Sequence, residues 1–185
     1  MNSKNDYISD LYRMIAGDKK VCSKSLVVGK ASGVLVGCGA EAGCNITITK
    51  KVVDKAMRAE IRDEDGRMLG STGHGLTTEQ IIQAISNIDN PIIVFKGKEG
   101  SLLLITDVRD YKERFIVIAI ELKRQEGFED VVSIISIYGR DNLDFYIGES
   151  IEKGNLLAAN KEKADEMLRS IGKSYPKENT FISFI

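Results

Sequence analysis

Ser136, Tyr138 and Arg140 stand close together in the run Ser136-Ile137-Tyr138-Gly139-Arg140, which closes a series of four apolar segments. On a strand, residues two apart point to the same face. The two hydroxyls therefore share a face, and the arginine follows the turn glycine. Such groups suit phosphodiester cleavage without a metal. Hydroxyls can hold the phosphate and position a 2′-hydroxyl, and the guanidinium can neutralise developing charge. The same run also reads as a half-buried strand with one polar face and a turn.

His74 is the single histidine. Its imidazole titrates near neutrality and can serve as acid or base. It also precedes a helix start, where a structural hydrogen bond explains it equally well. Gly73 and Gly75 on either side favour exposure. Arg140 can grip a phosphate with its planar fork, or pair with Asp141 or Asp144. Lys96 and Lys161 can meet phosphate as point charges, or remain solvated. Asn160 can contact substrate or cap the helix that follows.

These residues need elements to hold them. Residues 5–16 carry apolar side chains at helical spacing and predict a short amphipathic helix. Residues 22–44 are rich in glycine and other small residues. They lack P-loop and GxGxxG spacing, so a flexible connection or a small-residue packing segment is expected. Asn45–Thr49 alternates as a strand, and residues 50–62 read as either its extension or a helix. The acidic run Asp63-Glu64-Asp65 reads as a solvated turn, since it lacks the spacing of a calcium loop. Thr77 and Gln80 form a capping box, with Leu76 and Ile81 as its staple. Ile81, Ile82, Ala84, Ile85 and Ile88 give the buried stripe, and Asp89-Asn90-Pro91 ends the helix. A meander follows at 92–95, 102–105, 115–120 and 131–138. Short connections favour antiparallel neighbours. Residues 139–159 read as irregular, with an edge strand at 145–147. A helix is expected over 160–171 and a strand-like tail at 180–185. The expected class is α+β, a small antiparallel β-meander with packed helices.

The chain has 185 residues and a net charge of −1, with 43% hydrophobic and 29% charged residues. That fits one soluble domain with a decorated terminus. A near-neutral balance excludes general polyanion binding, so any nucleic acid must meet a local patch. Cys22, Cys38 and Cys44 lack CxxC spacing, which implies neither a disulfide framework nor a zinc site. No His/Asp/Glu cluster has ligand spacing, so no metal or cofactor is expected. The polar start is not a secretory signal, and no apolar run is long enough to cross a bilayer. A cytoplasmic location, with delivery into a target cell as one setting, is the expectation.

From Asn45 to Ser170 the order of features resembles the phage MuF C-terminal domain family. The matching pieces are His74-Gly75-Leu76-Thr77 at a helix start, Asn90-Pro91 before a strand, and the central meander. Ser136-Ile137-Tyr138-Gly139 and the segment Leu156, Asn160, Lys161, Lys163 and Ala164 complete them. The family is similar to the barnase–EndoU–colicin–RelE-like nucleases. The resemblance implies a barnase/RelE-like fold at 45–175; it does not explain the helix and glycine-rich arm at 1–44 or the strand-like tail at 176–185, which the residues alone set apart. It also implies an endoribonuclease toxin or effector of mobile-element origin. RNA, tRNA among the candidates, would be its substrate, and an antitoxin or immunity protein its partner.

The expected chemistry is metal-independent transesterification. His74 exchanges a proton with the 2′-hydroxyl or the leaving oxygen, and Arg140 with a lysine stabilises the phosphorane. Ser136 and Tyr138 position the phosphate. Lys96, Asn160 and Lys161 are the candidate substrate-binding residues. A competing expectation is a non-catalytic interaction module, in which the alternating tail adds a strand to a partner. A transferase-type toxin is a third, supported only by the glycine-rich segment.

Overall fold

The computed structural model describes residues 6–65, 67, 73–126, 129–170 and 182–183. Its centre is an eight-stranded sheet in the order β1-β2-β6-β5-β4-β3-β7-β8. The strands are β1 (Leu26–Lys30), β2 (Asn45–Ile48), β3 (Ile93–Lys96), β4 (Leu102–Arg109), β5 (Phe115–Glu126), β6 (Glu129–Gly139), β7 (Leu156–Ala159) and β8 (Ile182–Ser183). Most neighbours are antiparallel, but β2 runs parallel to β6 and β7 parallel to β8. The helices are α1 (Asp6–Ile15), α2 (Lys19–Cys22), α3 (Gly33–Gly37), α4 (Lys50–Met57), α5 (Thr78–Ser86), α6 (Leu143–Glu152) and α7 (Lys161–Ser170). The fold is α+β.

The apolar runs explain why helices cover both faces. In β5, Ile116, Ile118 and Ile120 face one core, while Phe115 and Val117 face another. A strand buried on both sides reads as a continuous apolar run instead of an alternation. The first core takes Leu11 and Met14 of α1, Val53 and Ala56 of α4, and Ile81, Ala84 and Ile85 of α5. The second takes Leu143 and Ile147 of α6 and Ala164, Met167 and Leu168 of α7. Near β2 and β6 one face turns polar, and the Thr47 and Ser133 hydroxyls meet there at 3.3 Å.

Several expectations change. The glycine-rich stretch is built into the sheet. Leu26 and Val28 of β1 and Val34 and Leu35 of α3 join the first core, and β1 pairs antiparallel with β2. Residues 50–57 take the helical one of the two readings that the sequence left open. Residues 145–147 belong to α6, because Leu143 and Ile147, four apart, enter the core together. Packing overrides the strand preference of Phe145-Tyr146-Ile147. The strand in this region is β7, whose leucines and alanines carry little strand preference. Of the strand-like tail, Ile182–Ser183 pair with β7. Ile171, Thr180, Phe181, Phe184 and Ile185 lie outside the described residues.

Candidate functional site

The register brings the ends of five strands to one rim. Gly139 of β6 pairs with Ile116, Phe115 with Arg109, Ile105 with Ile93, and Ile93 with Ala159. The end of β6, the start of β5, the end of β4, the start of β3 and the end of β7 therefore line up. Tyr138, Arg140 and Asn160 belong to this rim. Lys96 sits at the opposite end of β3, beside Leu102 and Asn155.

His74 reaches the rim through the end of α4. The last carbonyls of a helix lack intrahelical donors. Here the N–H of His74 donates to the Lys55 carbonyl at 3.1 Å, and that of Leu76 to Ala56 at 2.9 Å. The Gly75 N–H donates to Arg58 at 2.8 Å. Gly73 lies so close to Arg58 that a Cβ would overlap its backbone, and Gly75 has φ +66°. These glycines serve close approach and turn geometry, not exposure, and Gly73 is buried. The imidazole lies 5.4 Å from the Tyr138 ring, centroid to centroid. Burial, then the charge of Lys55, pulls its pKa below the usual 6.5. Its Nε2 is buried without a hydrogen-bond partner among the described residues.

Tyr138 joins His74 to Arg140, whose Nη1 donates to the Tyr138 hydroxyl at 3.1 Å. The guanidinium also stacks on Tyr146 at 3.7 Å. No described ion pair links Arg140 to Asp141 or Asp144, so that explanation of its charge is not realised. Asp141 instead accepts from Arg62 and Arg114. Arg140 Nε is buried and unpartnered. A buried polar atom left unsatisfied is costly, and both nitrogens are in that position.

Beneath them lies a network that the sequence reading overlooked. Glu60 accepts from Arg62 at 2.9 Å, Lys112 at 2.5 Å and Arg114 at 2.5 Å. Arg114 also contacts Asp110 at 2.5 Å and Asp141 at 3.1 Å. Burial alone would raise the Glu60 pKa, but Lys112, Arg114 and Arg62 outweigh it and hold the carboxyl at about 2. Asp110 accepts the N–H groups of Lys112 and Arg114 and so fixes the β4–β5 turn. A Cβ at Gly139 would overlap its carboxylate. The network thus locks the backbone that delivers Arg140. The Asp110 and Arg114 spacing was its only sequence signal, lost in a polar connection.

A cleft of about 330 Å³ opens beside Arg140, lined by Arg109, Glu113, Arg114, Phe115, Leu143 and Asp144. A second, also about 330 Å³, shares Arg109 and Phe115 and extends to Asp107, Lys163 and Glu166. Arg109 stacks on Phe115 at 3.9 Å where the two meet. Asn160 caps α7 by accepting the Lys163 N–H at 3.2 Å, and its amide contacts Asn90 at 3.3 Å. Lys161 is exposed at the start of α7. Ser136 shares the Tyr138 face two residue pairs further into the sheet. No hydrogen bond joins it to His74, Tyr138 or Arg140. Among the described residues, no His/Cys/Asp/Glu group is arranged to hold a metal.

An α+β domain with a histidine, a tyrosine and an arginine meeting at one sheet rim is the class these features define. The chain belongs to the phage MuF-C-terminal domain family, whose model matches residues 68–166, more than half its length. No curated protein and no solved structure matches it. Among the described residues, no helix is long and apolar enough to cross a membrane.

Proposed function

We propose that the domain is a metal-independent endoribonuclease, a toxin or effector of the barnase/RelE-like kind. The observation that carries this reading is the meeting of His74 with Tyr138 and Arg140, far from it in sequence, with His74 Nε2 and Arg140 Nε left without partners. The depressed pKa keeps the imidazole neutral at pH 7, which suits a general base. His74 takes the 2′-hydroxyl proton. The alkoxide attacks phosphorus, the bond to the 5′-oxygen breaks, and a 2′,3′-cyclic phosphate forms; the leaving oxygen takes a proton from water as the imidazolium returns its own to solvent. Arg140 neutralises the phosphorane, and Tyr138 orients both Arg140 and the phosphate. Asn160 and Lys161 lie on the same rim, within reach of a longer strand. Lys96 has no part in this chemistry, because it stands at the opposite sheet end.

The interaction-module alternative loses part of its argument, since Ile182–Ser183 already pair with β7. The test incubates wild type and His74→Ala with total RNA and defined tRNAs in chelator, and examines product ends. Cyclic phosphates from wild type alone support the reading. No cleavage by folded wild type would sink it.

A further inference from the structure

Tyr111 is an exposed aromatic residue fixed beside the rim. It is 59% exposed, although aromatic side chains usually bury their large apolar area. It occupies the β4–β5 turn, held by the buried Asp110 through the N–H groups of Lys112 and Arg114. Its ring lies against Gly75, adjacent to His74. A Cβ at Gly75 would stand 3.2 Å from the Tyr111 ring edge. Lys112 Nζ lies 5.2 Å from the ring centroid while bonding to Glu60. The ring is thus braced by the network that locks Arg140, and its exposure leaves room for a second planar group.

We infer that Tyr111 is a base-stacking platform for single-stranded RNA, receiving the nucleobase next to the phosphate held by Arg140. This inference rests on the ribonuclease reading. Stacking on an aromatic ring requires an unpaired base, whose face a duplex conceals. The substrate class is therefore a loop, bulge or single strand. The platform lies against Gly75, next to His74, and a cleft opens beside Arg140. A strand lying along the rim therefore meets Tyr111 as well as His74 and Arg140.

The chain has no tryptophan, so Tyr111→Trp supplies a single indole reporter. The probe is a short mixed-sequence oligoribonucleotide, 2′-O-methylated throughout so that it cannot be cleaved. Its unmodified form reports cleavage. The expected results are quenching of the Tyr111→Trp signal on binding and affinity weakened about 5- to 150-fold by Tyr111→Ala. Tyr111→Phe should bind as wild type, because the ring and not the hydroxyl is needed. KM should rise in Tyr111→Ala with kcat little changed. A duplex of the same sequence should bind wild type and Tyr111→Ala alike. Wild-type affinity in Tyr111→Ala together with an unquenched indole overturns the platform while leaving the ribonuclease reading intact. Binding without cleavage by wild type removes the ribonuclease reading alone, and the Tyr111 comparison then still decides stacking. Neither binding nor cleavage by folded wild type overturns both.

Discussion

Arg140 is held at one nitrogen by Tyr138 and across its face by Tyr146, while its Nε has no partner. Its orientation is set before any ligand arrives, and preorganised charge is the most effective kind in catalysis. Arg140→Ala should lower kcat about 10²- to 10³-fold on a defined RNA. Arg140→Lys should recover only part of this, because an ammonium lacks the planar fork. Equal loss in both variants would point to stacking on Tyr146 as the main role. For His74, burial and Lys55 together depress the pKa. A general base works when deprotonated, so the acid limb of kcat/KM against pH should fall below 6.5. Lys55→Met removes one depressing charge and should move that limb upward, and an unmoved limb would assign the titration to another group. At Gly139 an added Cβ overlaps Asp110. Gly139→Ala should therefore destabilise by about 1–3 kcal/mol in urea unfolding, the usual cost of overpacking.

The N-terminus of α5 links local sequence to the rim. The Gln80 N–H donates to Thr77 Oγ1 at 3.2 Å, and the Thr77 N–H donates to Gln80 Oε1 at 2.9 Å. The Gln80 amide also donates to the Arg109 carbonyl at 3.0 Å, where β4 ends beside the clefts. Thr77→Ala should cost about 1 kcal/mol in urea unfolding. Gln80→Ala should additionally loosen the end of β4, read as faster amide exchange at Arg109 and its neighbours. Protection unchanged in Gln80→Ala would confine the side chain to capping. This helix was legible because its signals are local: a cap, a staple and an apolar stripe. The meander was legible from apolar runs separated by turns. By contrast, β1 enters the sheet through β2, which the distant β6 fixes, and α6 shares a core with Phe95 of β3, so partners distant in sequence decide both. Glycines then read equally as a linker or a packing segment, and aromatics as a strand. At the rim the same division holds. Tyr138 and Arg140 were legible from strand spacing, whereas Glu60, Asp110 and Arg114 act through contacts that only the fold creates.

The whole molecule has a near-neutral balance, yet it concentrates charge around Glu60 and Arg114. Burying charges costs several kcal/mol per ion unless partners satisfy them, and here each has more than one. This makes stability depend on pH in a calculable direction. The Glu60 carboxyl is held at about 2, against an ordinary value of 4.5. Its contribution is fully present above 4.5 and is lost as pH falls toward 2. A shift of that size corresponds to at most about 3 kcal/mol, reduced by solvent screening. Asp141, whose burial is outweighed by Arg62 and Arg114, is also lowered and acts in the same direction. His74 adds an earlier step. The unfolded chain binds its proton more readily, so stability begins to decline as pH falls through 6.5. Urea unfolding free energy should therefore fall from pH 7 to pH 5 through His74, then again below 4.5 through the carboxylates. Glu60→Gln should lower stability at pH 7 and flatten the second fall without altering the first. His74→Ala should remove the first and keep the second. A wild-type curve without the lower fall would mean that the Glu60 network persists in the unfolded chain or contributes nothing to folding, and the locking of Gly139 and Arg140 would then need another cause.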